Sequence, residues 1–349
     1  MMKRRVRLQI LMLSSIFAFS CRADMQRYEY KAALLEKAVP TELTAYQLLK
    51  KNPLKSDVNY VAVPWSTLIN AGKMSELSQL GLTVDGGFTI CQHIRYKEIL
   101  PILKKMGVTV LFTPHAEPSK DPAIKVLPFP HIAINGIAAK PQKDILYSFI
   151  GFSNHPVRKA LFDLTWPKDA VIKRRAVWHF SKSGSQTQRR QLAEKREYQD
   201  VLARSRFSLC LRGTGASTLR FWESLQAGAI PVLLSDDMML PENFDWSRCV
   251  IFIKEADVAS IDSIIRGVST ETEAAMRKAC YEAYAYFQGK NFVSVIRDYF
   301  DGARTGSSRG IRSYPSKLSS SALNCGVLAK PDVALLSEDM ATTDKRVIA

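Results

Sequence analysis

The run Arg206-Phe-Ser-Leu-Cys-Leu-Arg-Gly-Thr-Gly-Ala-Ser-Thr-Leu-Arg-Phe-Trp-Glu223, continuing into Ser-Leu-Gln-Ala-Gly-Ala-Ile-Pro-Val-Leu-Leu-Ser-Asp-Asp237, decides how this chain is read. Apolar residues from Phe207 to Leu211 predict a buried strand. A glycine-containing loop follows, then a helix over about Thr218 to Ala227 and a second strand from Ile230 to Leu234. Such a unit sets backbone N–H groups at a helix start beside the fixed charge of Arg212, which suits a diphosphate. Glu223, on the helix, is a carboxylate placed to accept hydrogen bonds from a ribose.

Better-known phosphate loops do not fit. Gly213-Thr214-Gly215 begins like a dinucleotide fingerprint, but its third glycine would fall at Thr218, and no Gly-Lys pair follows at P-loop spacing. The bland alternative is a strand–turn–helix whose glycines serve only the turn. Charge argues against it, because Arg212, Arg220 and Glu223 border apolar elements, where unpaired charge is costly. Arg220 and Glu223, three apart on a helix, are spaced to pair with each other. Arg212 has no evident local carboxylate, which makes it the better phosphate candidate.

Outward from this segment, apolar runs alternate with helical ones. Strands are expected at Tyr60–Pro64, Thr89–His93, Val108–Phe112, Val126–Ile134, Ile145–Phe152, Val177–Phe180 and Val250–Lys254. Helices are expected over about 24–55, Glu98–Met106, Pro156–Leu164, Gln188–Arg204 and Glu271–Phe287. The alternation, twice over, predicts an α/β chain with two parallel-sheet domains, 24–170 and 171–300. Residues 301–349 read as a poorly ordered tail. Residues 1–23 combine Lys3, Arg4, Arg5 and Arg7 with an apolar stretch to Cys21, short for a membrane span. A signal peptide, a weak anchor and an over-called start preceding Met25 all fit.

The chain has 349 residues, 46% of them hydrophobic, and a formal net charge of +16. Half of that excess lies between Lys173 and Arg212, where eleven basic residues face Glu194, Glu197 and Asp200. A solvated helix face accounts for most of it. The six cysteines are widely spaced and make neither a zinc pattern nor a disulfide framework.

The residues then invoke a family. From Tyr198 through Leu-Cys-Leu-Arg-Gly, Arg-Phe-x-Glu-x-Leu-x-Ala-Gly-x-Ile-Pro-Val-x-Leu-Ser-Asp and Leu240-Pro241 to Phe244-Asp245-Trp246, the chain closely resembles the exostosin group, glycosyltransferase family 47. Weaker resemblance lies upstream, at Lys125 to His131, at Tyr147-Ser148-Phe149-Ile150-Gly151, and at Arg158-Lys159-Ala160-Leu161. Phe88 to His93 is similar to a region where many members carry His-Asp, but Ile94 follows the histidine here.

The resemblance implies an α/β fold of GT-B type, with two facing Rossmann-like domains. It implies an inverting transferase that moves a hexosyl or glycuronosyl group from a nucleotide sugar, usually a UDP-sugar, to a glycan acceptor. Arg212 would neutralise the diphosphate beside Gly213, Thr214, Gly215 and Ser217; Arg220 would support the phosphates, and Glu223 would bind the ribose. Ser153 and Arg158 are further candidates for phosphate or acceptor contacts. Inversion needs a general base, and the candidates are Asp85, His93, His115 and His131. His93 and His131 lead, since each falls at a predicted strand C-terminal end. The chain has no Asp-x-Asp, and no metal is expected to be required, although some relatives are stimulated by manganese. No nucleic-acid partner is expected; peripheral membrane association is open, as is the choice between a cytoplasmic and a secretory-pathway location. A non-catalytic glycan- or nucleic-acid-binding protein and an inactive partner subunit are the competing readings.

Overall fold

A computed structural model describes residues 17–20, 25–79, 81–118, 121–176 and 185–302. Its strands form two sheets. The first has the order β1 (Phe17–Ser20), β2 (Met25–Tyr30), β3 (Val58–Ala62), β4 (Phe88–Ile90), β5 (Val110–Thr113) and β6 (Lys125–Pro128). All its pairings are parallel except the edge pairing of β1 with β2. Strand alternation sends Val61 and Leu111 to one face, and Tyr60, Ala62, Phe88 and Phe112 to the other. Helices Trp65–Asn70 and Leu100–Met106 cover the first face. Helices Pro40–Lys51 and Ser294–Phe300 cover the second, so the chain returns to the N-terminal sheet at its end. Burial on both faces explains why these strands read as continuous apolar runs.

The second sheet is wholly parallel, with the order β11 (Ile251–Phe252), β10 (Ile230–Leu234), β9 (Ser205–Leu211), β7 (Ile145–Phe152) and β8 (Ala170–Arg175). The chain runs from β7 outward to β8, returns past β7 to β9, and then continues to β10 and β11. The strand order therefore reverses between β7 and β9. In open α/β sheets the crevice at such a reversal, outside the strand C-terminal ends, is where ligands bind. Helices Ser185–Arg204 and Leu219–Ala227 make the flanking connections.

The two-sheet α/β fold agrees with the GT-B type that the resemblance implied, and both sheets belong to one compact unit. The change of sheet, however, comes earlier than 170. Strand β7 pairs with β8 and β9, so the switch falls between Pro128 and Ile145. Edge strand β8 was hidden by Lys173, Arg174 and Arg175, charges that suit an edge and disguise a strand. Residues 25–30, expected to be helical, form β2, because Met25 and Tyr30 are buried against a parallel neighbour. Strand β6 stops at Pro128 rather than at Ile134, since a proline cannot donate to the ladder.

The expected strand Val177–Phe180 and the tail beyond Gly302 lie outside the described residues. Of residues 1–23, only Phe17–Ser20 are described, so the signal, anchor and start readings lie outside them too. No helix among the described residues is long and apolar enough to cross a membrane. The basic run carries much of its own compensation. Lys173 and Arg175 share Glu197, at 2.5 and 2.7 Å, Arg190 pairs with Glu194 at 2.9 Å, and Arg206 pairs with Glu273. Cys91, Cys210, Cys249 and Cys280 are buried free thiols.

Candidate active site

Two loops meet at the reversal point. One follows β7 and holds Ser153, Asn154 and His155; the other follows β9 and runs from Arg212 to Thr218. The Asn154 amide donates to Thr214 Oγ1 at 3.1 Å, joining them. Beneath them lie two arginines. Arg158 donates from Nε to the Arg212 carbonyl at 2.7 Å, from Nη2 to the Leu211 carbonyl at 2.8 Å and from Nη1 to the Phe152 carbonyl at 3.2 Å. Arg220 donates to the carbonyls of Leu209 and Ile150. The Phe149 ring packs against both guanidinium groups, 5.3 Å from Arg158 and 4.2 Å from Arg220.

Among the described residues no carboxylate forms an ion pair with either arginine. Burial, reinforced by Arg220, pushes the Arg158 guanidinium down to about 9, so it remains charged at neutral pH. Two positive charges without an ion-pair partner among the described residues thus sit under the strand ends, with Glu223 acting on Arg220 from farther away. A developing anion above them would be stabilised without reorganisation.

The glycines provide room rather than unusual backbone angles; neither Gly213 nor Gly215 has positive φ. A Cβ on Gly213 would stand 3.1 Å from Arg158 Nη2, and one on Gly215 would stand 2.6 Å from His115 Nδ1. Besides allowing the turn, these glycines leave room for Arg158 and His115.

Unpartnered polar atoms gather here. Among the described residues, Ser153 Oγ, Asn154 Oδ1, Arg212 Nε and Ser217 Oγ are buried without a hydrogen-bond partner, as are His115 Nδ1 and His131 Nδ1. Buried polar groups are rarely left so. Their concentration on two loops and the facing histidines makes this the candidate site for a polar ligand.

Other expectations are corrected. Arg212 does have carboxylate partners, Asp237 at 2.7 Å and Glu255 at 3.5 Å. The parallel register of Leu211 with Leu234 brings the residues after β9 and β10 side by side, although they lie far apart in sequence. Glu223 is 2% exposed, and its two oxygens accept from Asn135 Nδ2 at 2.5 Å and from the Tyr198 hydroxyl at 2.6 Å. Burial raises its carboxyl above the ordinary range. Glu223 therefore holds the segment joining the two sheets. It forms no ion pair with Arg220, whose guanidinium instead lies 5.4 Å from the Tyr198 ring.

His93, His115 and His131 all follow C-terminal strand ends of the first sheet, after β4, β5 and β6. The His115 and His131 rings meet edge to face at 5.1 Å. His93 is half-buried; its Nδ1 accepts from the Arg95 N–H at 3.0 Å, which leaves the Nε2 hydrogen for Asn70 Oδ1, also at 3.0 Å. Asp85 lies elsewhere. It precedes β4, at the opposite end of the sheet, and lines a polar cavity of about 740 Å³ with Asp57 and Asn59. The structure does not bring it to the loops.

Asn154, Asn135 and Tyr198 were missed. A polar pair directly after a predicted strand, as in Ser153-Asn154, was the available signal for the first; nothing local marked the others. Among the described residues no group of three or more His, Cys, Asp or Glu side chains could hold a metal ion.

Comparison with known proteins bears on the same stretch. Residues 101–268 match the exostosin GT47 domain. This stretch is similar to the exostosin domain. It spans β5 through the helix after β11, and so contains both loops, both buried arginines, His115 and His131. Over 106 residues the chain is 34% identical to the exostosin-1 homolog of Caenorhabditis elegans, covering 30% of this chain and 27% of that protein. With human exostosin-2 it shares 32% identity over 102 residues, 28% of this chain and 14% of the relative. The exostosin match thus spans about a quarter or less of these relatives' length. Among solved structures, TarM matches with a TM-score of 0.35 and 10% identity over 65% of this chain and 57% of that one, a likeness that adds nothing to the topology above.

Proposed function

We propose that this chain is an inverting glycosyltransferase that uses a nucleoside-diphosphate sugar, with UDP as the nucleotide, and a glycan acceptor. The observation that carries the reading is the cluster of unpartnered buried polar atoms at Ser153, Asn154, Arg212 and Ser217, above carboxylate-free Arg158 and Arg220. Exostosin kinship supports it.

In the reaction, the acceptor hydroxyl oxygen forms a bond to the anomeric carbon as the bond from that carbon to the β-phosphate oxygen breaks. The nucleoside diphosphate leaves with the electron pair, and its charge meets Arg158, Arg220 and the loop N–H groups. Arg212 joins them by exchanging Asp237, a solvent-facing carboxylate, for phosphate. In this reading no metal is required, because guanidinium charge performs the neutralisation.

His93 takes the acceptor proton on Nδ1, which must first release the Arg95 N–H, because Nε2 carries the hydrogen given to Asn70 Oδ1. It is less buried than His131, and burial with the Arg95 charge lowers its pKa, keeping the ring neutral near pH 7. Glu223 would reach a ribose only by giving up Asn135 or Tyr198.

A thermal-shift series with UDP, GDP, CMP and TDP, each with and without EDTA, tests the reading. Ligand at a hundred times its dissociation constant adds about 2.7 kcal/mol of stability. A shift with UDP that persists in EDTA and disappears in Arg212→Ala is expected; no shift with any nucleotide would overturn the donor site.

A further inference from the structure

His115 and Ile94 both reach the glycine loop from the opposite sheet, and His115 brings the polar group. The histidine is 7% exposed, and its Nδ1 faces Gly215 so closely that any side chain there would collide with it. The ring packs against His131, edge to face at 5.1 Å, and the backbone that carries it is held by the Thr113 hydroxyl, which accepts the His115 N–H at 3.2 Å. Yet Nδ1 is buried with no partner among the described residues. A buried imidazole with one nitrogen unsatisfied, aimed at a loop with its own unpartnered groups, is placed to meet an atom that the loop holds.

We propose that His115 is a catalytic contact for the departing group: its Nδ1–H donates a hydrogen bond to the β-phosphate of the bound nucleotide sugar. This rests on the nucleotide-sugar reading above. The β-phosphate, rather than the α-phosphate or the base, is the partner because His115 arrives from the N-terminal sheet. In the nucleotide-sugar reading that sheet carries the acceptor side, and the β-phosphate is the end of the nucleotide nearest the acceptor. No proton is transferred in this role. Burial pushes the imidazole down to about 4, so it meets the phosphate as a neutral donor. Gly215 must lift off the ring for the phosphate to take its place, and a glycine makes that exchange possible without dragging a side chain across the imidazole.

Calorimetric dissociation constants for UDP and UMP, with the full chain, test this. The variants are His115→Ala and His115→Phe; the second keeps a ring against His131 and Gly215 but has no N–H. The wild type should prefer UDP. Both variants should lose about tenfold or more in UDP affinity, the worth of a hydrogen bond to a charged group, while UMP affinity stays within about twofold of the wild type. His115→Phe should keep the wild-type melting temperature, which separates the contact from folding. UDP binding at wild-type strength in either variant, or equal loss of UDP and UMP, would overturn the assignment of His115. If the wild type binds neither nucleotide, the donor-site reading itself fails and takes this contact with it.

Discussion

Gly215 of the loop after β9 lies against His115 of the loop after β5, so that a methyl group on its α-carbon would stand 2.6 Å from the imidazole Nδ1. This contact joins the two sheets at the candidate site, and it makes a steric prediction. Gly215→Ala must displace either the ring or the loop, an overpacking cost of about 1–3 kcal/mol. UDP affinity should fall, because the loop N–H groups move. Removing the obstacle with His115→Ala should recover loop geometry, so the double variant should bind UDP no more weakly than His115→Ala alone. Calorimetry on the two single variants and the double variant decides it; strictly additive losses would show that the contact does not matter.

Arg158 ties the ends of β7 and β9 together through three backbone carbonyls. Lysine offers one ammonium in place of a planar fork and cannot serve all three. Arg158→Lys should therefore lower stability by about 2–4 kcal/mol through buried carbonyls left unpaired. Urea unfolding monitored by tryptophan fluorescence gives the number. An unchanged midpoint would mean that the clamp is dispensable.

Glu42 supplies a pH test. Its buried carboxylate accepts from Ser66 N at 3.1 Å, Ser66 Oγ at 2.7 Å and Gln92 N at 2.9 Å. Burial outweighs these bonds and raises its pKa from 4.5 to about 7. A carboxyl raised on folding binds more protons in the native than in the unfolded state, so its contribution to stability is fully present below about pH 4.5. It is lost as pH rises through about 7, by up to about 3 kcal/mol. The stability difference between wild type and Glu42→Gln, followed by urea titrations from pH 4 to 8, should shift in favour of the variant across that window. A pH-independent difference would contradict it.

Glu223 is expected to act through the segment that joins the sheets. Losing its carboxylate strands the Tyr198 hydroxyl and the Asn135 amide. Glu223→Ala should cost about 2–4 kcal/mol, and a cycle pairing Glu223→Gln with Tyr198→Phe should show coupling of about 1 kcal/mol or more. Additive effects in that cycle would dissolve the link, leaving the carboxylate free for a ribose.

Periodicity was enough for most elements. Strand β7, strand β10 and the helix after Thr218 stand where their apolar runs begin and end. The Arg206–Asp237 segment also announced its chemistry, because a charged loop between buried elements needs a ligand or a partner. Local pattern misled where neighbours decide: β2 looked helical until its pairing with β3 was known, and β8 was masked by its edge charges.

The sequence by itself determined the α/β class, the β9–loop–helix unit at its centre and its kinship with exostosins, since these follow from contiguous residues. Only the tertiary structure decided which charges are spent and which are free. Asp237 reaches Arg212 through strand register, Asn135 reaches Glu223 across 88 positions, and His115 reaches Gly215 from the other sheet. Electrostatic and hydrogen-bond energies depend on distances of a few ångströms, and separation along the chain does not encode them.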